Sequence, residues 1–299
     1  SVFPGIVCVA CVAVGVAAKS RGFVASRVIF RRARRSSGRV PPCCPRGALG
    51  PSAAASTGAG RMQLLPNGGE AYIVGAGTRA IVVASDIFGI HSGRTKDICD
   101  DLASEGYLVV MPDFFKGAFP DTGRDTSWWQ KLLQAPGILT PFNTKWSDIE
   151  EVLRRGVVPF LEEQGCSVGR AGILGFCWGA WVVVHACGGL PDAFACGVSA
   201  HPSVSAMAGR WGEDELSLLR AVRTPQLVLA SKDEPPDWKP GGAAQTTLEA
   251  CAPGTIFQEF SSMSHGFVPR GDITDPIVAG DVGRAVSYIK GFMGKHLKA

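Results

Sequence analysis

The sequence predicts an α/β domain, a doubly wound and mostly parallel sheet with helices on both faces, and three observations predict it. Short apolar runs alternate with longer amphipathic stretches from residue 80 to the end. No segment repeats at a fixed period. The 299 residues are 46% hydrophobic and 19% charged, enough apolar material for a large core and too much for a disordered chain.

The strand candidates are 80–85 (AIVVAS), 107–111 (YLVVM), 171–175 (AGILG), 194–199 (FACGVS), 226–230 (QLVLA) and 255–260 (TIFQEF). Most are continuously apolar, as strands covered on both faces must be. Between them, 95–105, 148–163, 178–186, 214–222, 243–250 and 281–295 read as helices. Sites in such sheets gather at the carboxyl ends of the strands, so the residues after each apolar run carry the functional reading. Residues 112–146 break the alternation with a long stretch containing Phe114, Phe115, Phe119, Trp128, Trp129, Phe142 and Trp146. It reads as a lid or pocket wall, with core packing as the competing role for each ring.

The charge is unevenly placed. The formal net charge is +4, yet residues 1–69 contain no acid and residues 1–61 hold ten of the 30 bases. Residues 62–299 are therefore acidic overall, at −6, and lack the clustered positive charge that nucleic-acid binding needs. Within the first segment, 6–18 is a 13-residue apolar run of signal-peptide length, too short to span a bilayer stably. An Arg- and Ser-rich stretch of transit-peptide composition follows, then a Pro-, Gly- and Ala-rich spacer. Residues 1–61 thus read as a targeting presequence and linker, and 62–299 as the folded domain. The two-part leader resembles presequences that direct proteins into plastids of secondary endosymbiotic origin. A mitochondrial presequence and a signal anchor compete, and the cytoplasm follows if the leader does not function.

Six of the ten cysteines lie beyond the leader, at 99, 166, 177, 187, 196 and 251. They form no CxxC pair and no metal-ligand spacing with histidine, so free, mostly buried thiols are expected. Cys177 is the exception. Gly175-Phe176-Cys177-Trp178-Gly179 follows the strand 171–175 and opens a helix, the pattern of a nucleophile elbow with Cys in place of Ser. The thiol would sit on a sharp strand-to-helix turn at the positive end of a helix, which favours the thiolate. The Trp178 N–H would point where an oxyanion forms. A buried structural cysteine is the alternative for the motif alone.

The rest of the chain strengthens the catalytic reading. Triads on the α/β-hydrolase fold run nucleophile, acid, histidine along the chain. Here Asp233 stands just past the strand 226–230 and His265 in the loop after 255–260, so all three groups follow separate strands in that order. Asp237 is a rival acid farther from its strand. His201, at the end of the strand 194–199, lines the pocket or packs beneath it; His185 lies on the elbow helix facing the core.

At this point the domain resembles the dienelactone hydrolase family, also called carboxymethylenebutenolidases. The resemblance rests on Ser85-Asp86-Ile87-Phe88-Gly89, Met111-Pro112-Asp113-Phe114-Phe115, the elbow, Asp233, and Ser264-His265-Gly266-Phe267-Val268, in family order. It implies an α/β-hydrolase fold, with Cys177 as nucleophile, Asp233 as orienting acid and His265 as base. It also implies Asp86 in the place of an acid that contacts the resting thiol, and Ile87 as second oxyanion donor beside Trp178. The substrate would be a small ester or lactone, cleaved through a thioester acyl-enzyme without metal or organic cofactor. Dienelactone hydrolases hold a substrate carboxylate with arginines; here Arg270 and Lys116 are the nearest cations, with solvated charge as their competing role. Neither nucleic acid nor a stable membrane span is expected, and the assembly is a monomer or homodimer. A glutamine amidotransferase also uses a Cys elbow, but its H-x-E pair is missing, since Gly266-Phe267 follows His265. A thioesterase with the same triad and a non-catalytic binding module stay open.

Overall fold

The computed structural model describes residues 58–118, 140–167 and 169–298. Residues 1–57, which hold most of the segment read as a presequence, and the middle of the aromatic insertion, with Phe119, Trp128 and Trp129, lie outside the described residues. Eight strands form one sheet: β1 (Arg61–Leu64), β2 (Glu70–Val74), β3 (Ala80–Ala84), β4 (Leu108–Pro112), β5 (Ala171–Phe176), β6 (Phe194–Ala200), β7 (Gln226–Ser231) and β8 (Ile256–Phe260). Their order across the sheet is β1-β2-β4-β3-β5-β6-β7-β8. β2 runs antiparallel to both β1 and β4, and every other neighbouring pair is parallel. The six strands read from apolar runs are present within one residue at each end. The β1–β2 hairpin is an addition. Its turn contains Asn67-Gly68, with Gly68 at φ 80°, the conformation that favours glycine in tight hairpins. Its outer strand carries little apolar pattern because it is an edge, with Leu64 63% exposed.

The helices are α1 (Thr95–Ser104), α2 (Trp146–Val152), α3 (Val158–Glu163), α4 (Trp178–Gly189), α5 (Val204–Trp211), α6 (Glu215–Ala221), α7 (Ala243–Cys251), α8 (Phe267–Arg270) and α9 (Pro276–His296). A π turn, Leu153–Val157, joins α2 to α3 just before Pro159, whose missing N–H cannot continue the α-helical ladder. α9 begins five residues earlier than its apolar pattern predicts. Asp275 caps it, accepting the Ile277 N–H at 2.8 Å, and Pro276 fills the first helical position. α5 and α8 are absent from the sequence reading, being too short to show a period.

The sheet is covered on both faces, and β3 shows the division residue by residue. Ala80, Val82 and Ala84 pack with Trp178, Trp181 and Val183 of α4 and with Ile149 and Phe160 of α2 and α3. Ile81 and Val83 point the other way, into a cluster with Ile98 and Leu102 of α1 and Ile289 and Met293 of α9. α4 is buried continuously from Trp178 to Val184, as the central helix of such a sandwich must be. The chain enters this domain on a polar clasp. The Tyr72 hydroxyl donates to Asp100 at 2.5 Å and accepts the Gly60 N–H at 2.7 Å, while the Ala59 N–H donates to the other Asp100 oxygen. No helix among the described residues is long and apolar enough to cross a membrane.

Candidate active site

β5 delivers Cys177 to the centre of the sheet's carboxyl edge. Its backbone is held at φ 54° and ψ −110°, a conformation rarely adopted by a residue with a side chain. Three hydrogen bonds enforce it: the Cys177 N–H donates to the Ala200 carbonyl at 3.0 Å, and the Cys177 carbonyl accepts from the N–H groups of Ala180 and Ser203 at 3.1 Å each. The flanking glycines make the turn sterically possible. A Cβ on Gly175 would lie 2.2 Å from the Gly179 carbonyl oxygen, and a Cβ on Gly179 would lie 2.2 Å from that of Ala84. Gly179 therefore lets the first turn of α4 rest directly on the end of β3. G179A should lower stability by about 1–3 kcal/mol through overpacking. Thermal unfolding reads this, and an unchanged Tm would contradict the close approach.

His265 reaches the same place from the loop after β8 and is 1% exposed. Its Nδ1 meets a Glu234 carboxylate oxygen at 2.6 Å, inside a pair whose side chains are each 1% exposed. The other Glu234 oxygen accepts the Ser231 N–H at the end of β7. Asp233, the acid expected to orient the ring, does something else: it accepts the main-chain N–H of His265 at 2.8 Å and stays partly exposed. The chain leaving β7 turns so that consecutive carboxylates divide the work, one on the imidazole and one on the backbone. The Lys232 N–H, donating to the Met263 carbonyl at 3.0 Å, ties the two loops together. Asp237 lies exposed in a short turn after them.

Beside both Cys177 and His265 lies Ser203, a residue to which the sequence assigned no role. Ser203 Oγ lies 3.4 Å from Cys177 Sγ and 3.5 Å from His265 Nε2. His201, two residues earlier, is fully buried in a positive-φ turn, at φ 40°. Its ring meets that of His265 edge-on at 5.0 Å and stacks on Phe176, so it packs directly against the imidazole.

The loop after β3 supplies the next wall. Asp86 is fully buried and its carboxylate accepts from the Phe88 N–H at 2.9 Å, from Ser92 Oγ at 2.8 Å and from the Arg270 guanidinium. Arg270 is thus neither solvated nor a loose cation; its guanidinium, fully buried, also lies over the Phe88 ring at 4.8 Å. This pair joins the loop carrying Ile87 to the segment carrying His265. Arg94 adds to the joint by donating to the Val268 carbonyl at 2.8 Å, while its N–H donates to the Pro269 carbonyl at 2.9 Å. Buried pairs add little net stability, but breaking one strands a charge. R270L should therefore destabilise the fold by about 3–5 kcal/mol. Part of that loss should be recovered when D86N is added. Urea unfolding reads both, and an unchanged midpoint for R270L would contradict the pairing.

Lys116 stands apart. It is exposed, at φ 53°, on a cavity of 510 Å³ whose described lining holds Glu70, Asp113, Asp148 and Glu151 but neither Cys177 nor His265. Of the insertion's aromatics, Phe114 and Phe115 are buried against Trp178, with ring centroids 6.0 and 4.8 Å away. The Trp178 indole donates to the Pro141 carbonyl at 3.1 Å, and Arg210 holds the Phe142 carbonyl at 3.1 Å. Trp146 stacks on His185, which pairs with Glu213 at 3.1 Å in a structural cluster on α4. The thiols of Cys99, Cys187 and Cys196 are pushed up in pKa, chiefly by burial, which holds them protonated and unreactive.

Known proteins agree with this architecture. The model of the dienelactone hydrolase family matches residues 70–297. A carboxymethylenebutenolidase homolog of Rattus norvegicus is 32% identical over 195 residues, covering 64% of this chain and 71% of the relative. The Homo sapiens homolog is 29% identical over 197 residues with the same coverages. Among solved structures, a candidate dienelactone hydrolase of Klebsiella pneumoniae superposes with a TM-score of 0.55 at 18% identity, covering 76% of this chain and 96% of its own. An acylaminoacyl peptidase of Pyrococcus horikoshii shares the fold at a TM-score of 0.58 and 16% identity, over 82% of this chain and 42% of its own. With an elbow cysteine just past the central strand, a buried histidine–carboxylate pair and a family match over residues 70–297, the chain belongs to the dienelactone hydrolase family and is a hydrolase of the ester and lactone class on an α/β-hydrolase fold.

Proposed function

We propose that the protein cleaves a small ester or lactone by nucleophilic catalysis, with Cys177 as nucleophile, His265 as general base and Glu234 as the carboxylate that orients the base. The single observation that carries this is the strained elbow at Cys177 standing within one hydroxyl of an imidazole whose far nitrogen is locked by Glu234 at 2.6 Å. Asp233 supports the same histidine through its backbone, a positioning role.

The chemistry runs in two halves. His265 Nε2 takes the proton from Cys177 Sγ, and Glu234 steadies the resulting imidazolium. The thiolate attacks the carbonyl carbon, forming a C–S bond while the C=O pair moves onto oxygen. The N–H groups of Trp178 and Ile87 face that oxyanion, the first because the opening residue of a helix has no intrahelical acceptor. As the tetrahedral species collapses, the C–O bond breaks and the departing alkoxide takes the proton from His265. A thioester remains. His265 then deprotonates a water, which attacks the thioester carbon; the C–S bond breaks, the acid departs, and the sulfur takes the proton back from His265.

Hydrolysis of cis- and trans-dienelactone and of short aryl esters by the wild-type protein, beside C177A, tests the reading. Turnover that depends on Cys177 is expected, and equal turnover by C177A would overturn it. We also propose that the acid-free leader directs the protein to an organelle, a plastid ahead of a mitochondrion. A fluorescent fusion of residues 1–61 that stays in the cytosol would overturn that.

A further inference from the structure

Ser203 stands immediately before α5, at the cap position, where serine is favoured because its oxygen caps the free N–H groups of the first turn. Here the side chain makes no capping bond. It turns instead toward the sheet edge, 95% buried, with Oγ 3.4 Å from Cys177 Sγ and 3.5 Å from His265 Nε2. Its main-chain N–H meanwhile holds the Cys177 carbonyl at 3.1 Å. The buried positive-φ turn at His201, followed by Pro202, fixes the approach of the chain. A hydroxyl suits this place because it donates one hydrogen bond and accepts another at the same time.

We propose that Ser203 is a catalytic residue that stabilises the thiolate–imidazolium pair of Cys177 and His265, a proposal that rests on the nucleophilic reading above. When the Sγ proton moves to Nε2, charge appears on both atoms. The Ser203 O–H then donates to the thiolate sulfur, and its lone pair accepts from the new Nε2–H. Both contacts shorten as their partners become charged. No bond to Ser203 forms or breaks, and the proton ends on His265. The hydroxyl thus replaces the water that burial removes from a sulfur anion.

The test is the pH dependence of Cys177 alkylation by iodoacetamide, followed on the Cys177 peptide by mass spectrometry, in the full-length protein, S203A and S203T. S203A deletes one oxygen and keeps the backbone bond to Cys177. Below the midpoint its alkylation should slow about ten- to hundredfold, the worth of one hydrogen bond to a charged group, and the midpoint should move up. Turnover should fall through kcat with KM unchanged. S203T keeps the hydroxyl and should restore the profile. An S203A profile and kcat matching wild type would overturn the proposal, as would equal losses in alanine and threonine. C177A measured in parallel separates the two claims. If C177A is inactive and S203A is silent, only the role of Ser203 falls; if C177A retains activity, the nucleophilic reading falls with it.

Discussion

C177A should fold and bind as the wild type does and lose turnover by about a factor of 10⁶, the scale seen when a covalent nucleophile is deleted from an intact triad. The backbone argues that folding survives. The three bonds that hold residue 177 in its strained conformation are all made by its main chain, and the alanine Cβ is already accommodated there. The side chain removed is small and buried, so the stability loss is minor beside the catalytic one. Steady-state hydrolysis with circular dichroism of the same samples separates the two effects. C177S is a sharper probe of mechanism. The hydroxyl is a far weaker acid than the thiol, and a helix N-terminus that favours a thiolate need not ionise an alcohol. It should retain only a small fraction of the activity, and full activity would show that thiolate formation is not what the site provides.

The second large effect separates two neighbouring carboxylates. E234Q removes the charge that faces His265 Nδ1 at 2.6 Å, and an amide there can present either its N–H or its oxygen to the ring. The imidazolium loses its counter-charge and the ring its enforced tautomer, a change that lowers kcat about 10⁴-fold in the serine-protease triad. A loss of about 10²–10⁴-fold is the expected range here. D233N leaves that contact intact and weakens only the bond from the His265 main-chain N–H at 2.8 Å. Its cost should stay within about tenfold, because the amide oxygen still accepts that N–H and only the difference between a charged and a neutral hydrogen bond, about 1 kcal/mol, is lost. Measuring kcat for both variants decides the assignment. A heavy loss in D233N with little in E234Q would return the orienting role to Asp233.

These two residues also show how far the sequence could be read. The elbow was legible because its constraints are local: glycines two residues either side of Cys177, a strand before and a helix after. His265 was legible from its place after a strand. Which carboxylate meets the imidazole was not, because Asp233 and Glu234 both follow β7 and only the turn after Ser231 decides it. A glutamate has the extra methylene to reach past the backbone, a clue visible only once the loop's path is known. The buried partner of Arg270 was not legible either: nothing in the chain marks Asp86, 184 positions away, and only the packing of two loops pairs them. Ser203 offered the weakest signal of all, a helix-start serine of ordinary appearance, and its meaning lies in the capping bond it does not make. The parallel core was legible from uninterrupted apolar runs, whereas the β1–β2 edge was hidden by the exposure of its outer strand.

The most direct test of the central claim is to stop hydrolysis of a slowly deacylated ester with acid and map the acyl group by peptide mass spectrometry. The acyl mass is expected on the Cys177 peptide, released by hydroxylamine as a thioester should be and absent from H265A. An acyl group on Ser203 or on any other residue, or steady turnover with Cys177 never modified, would contradict it.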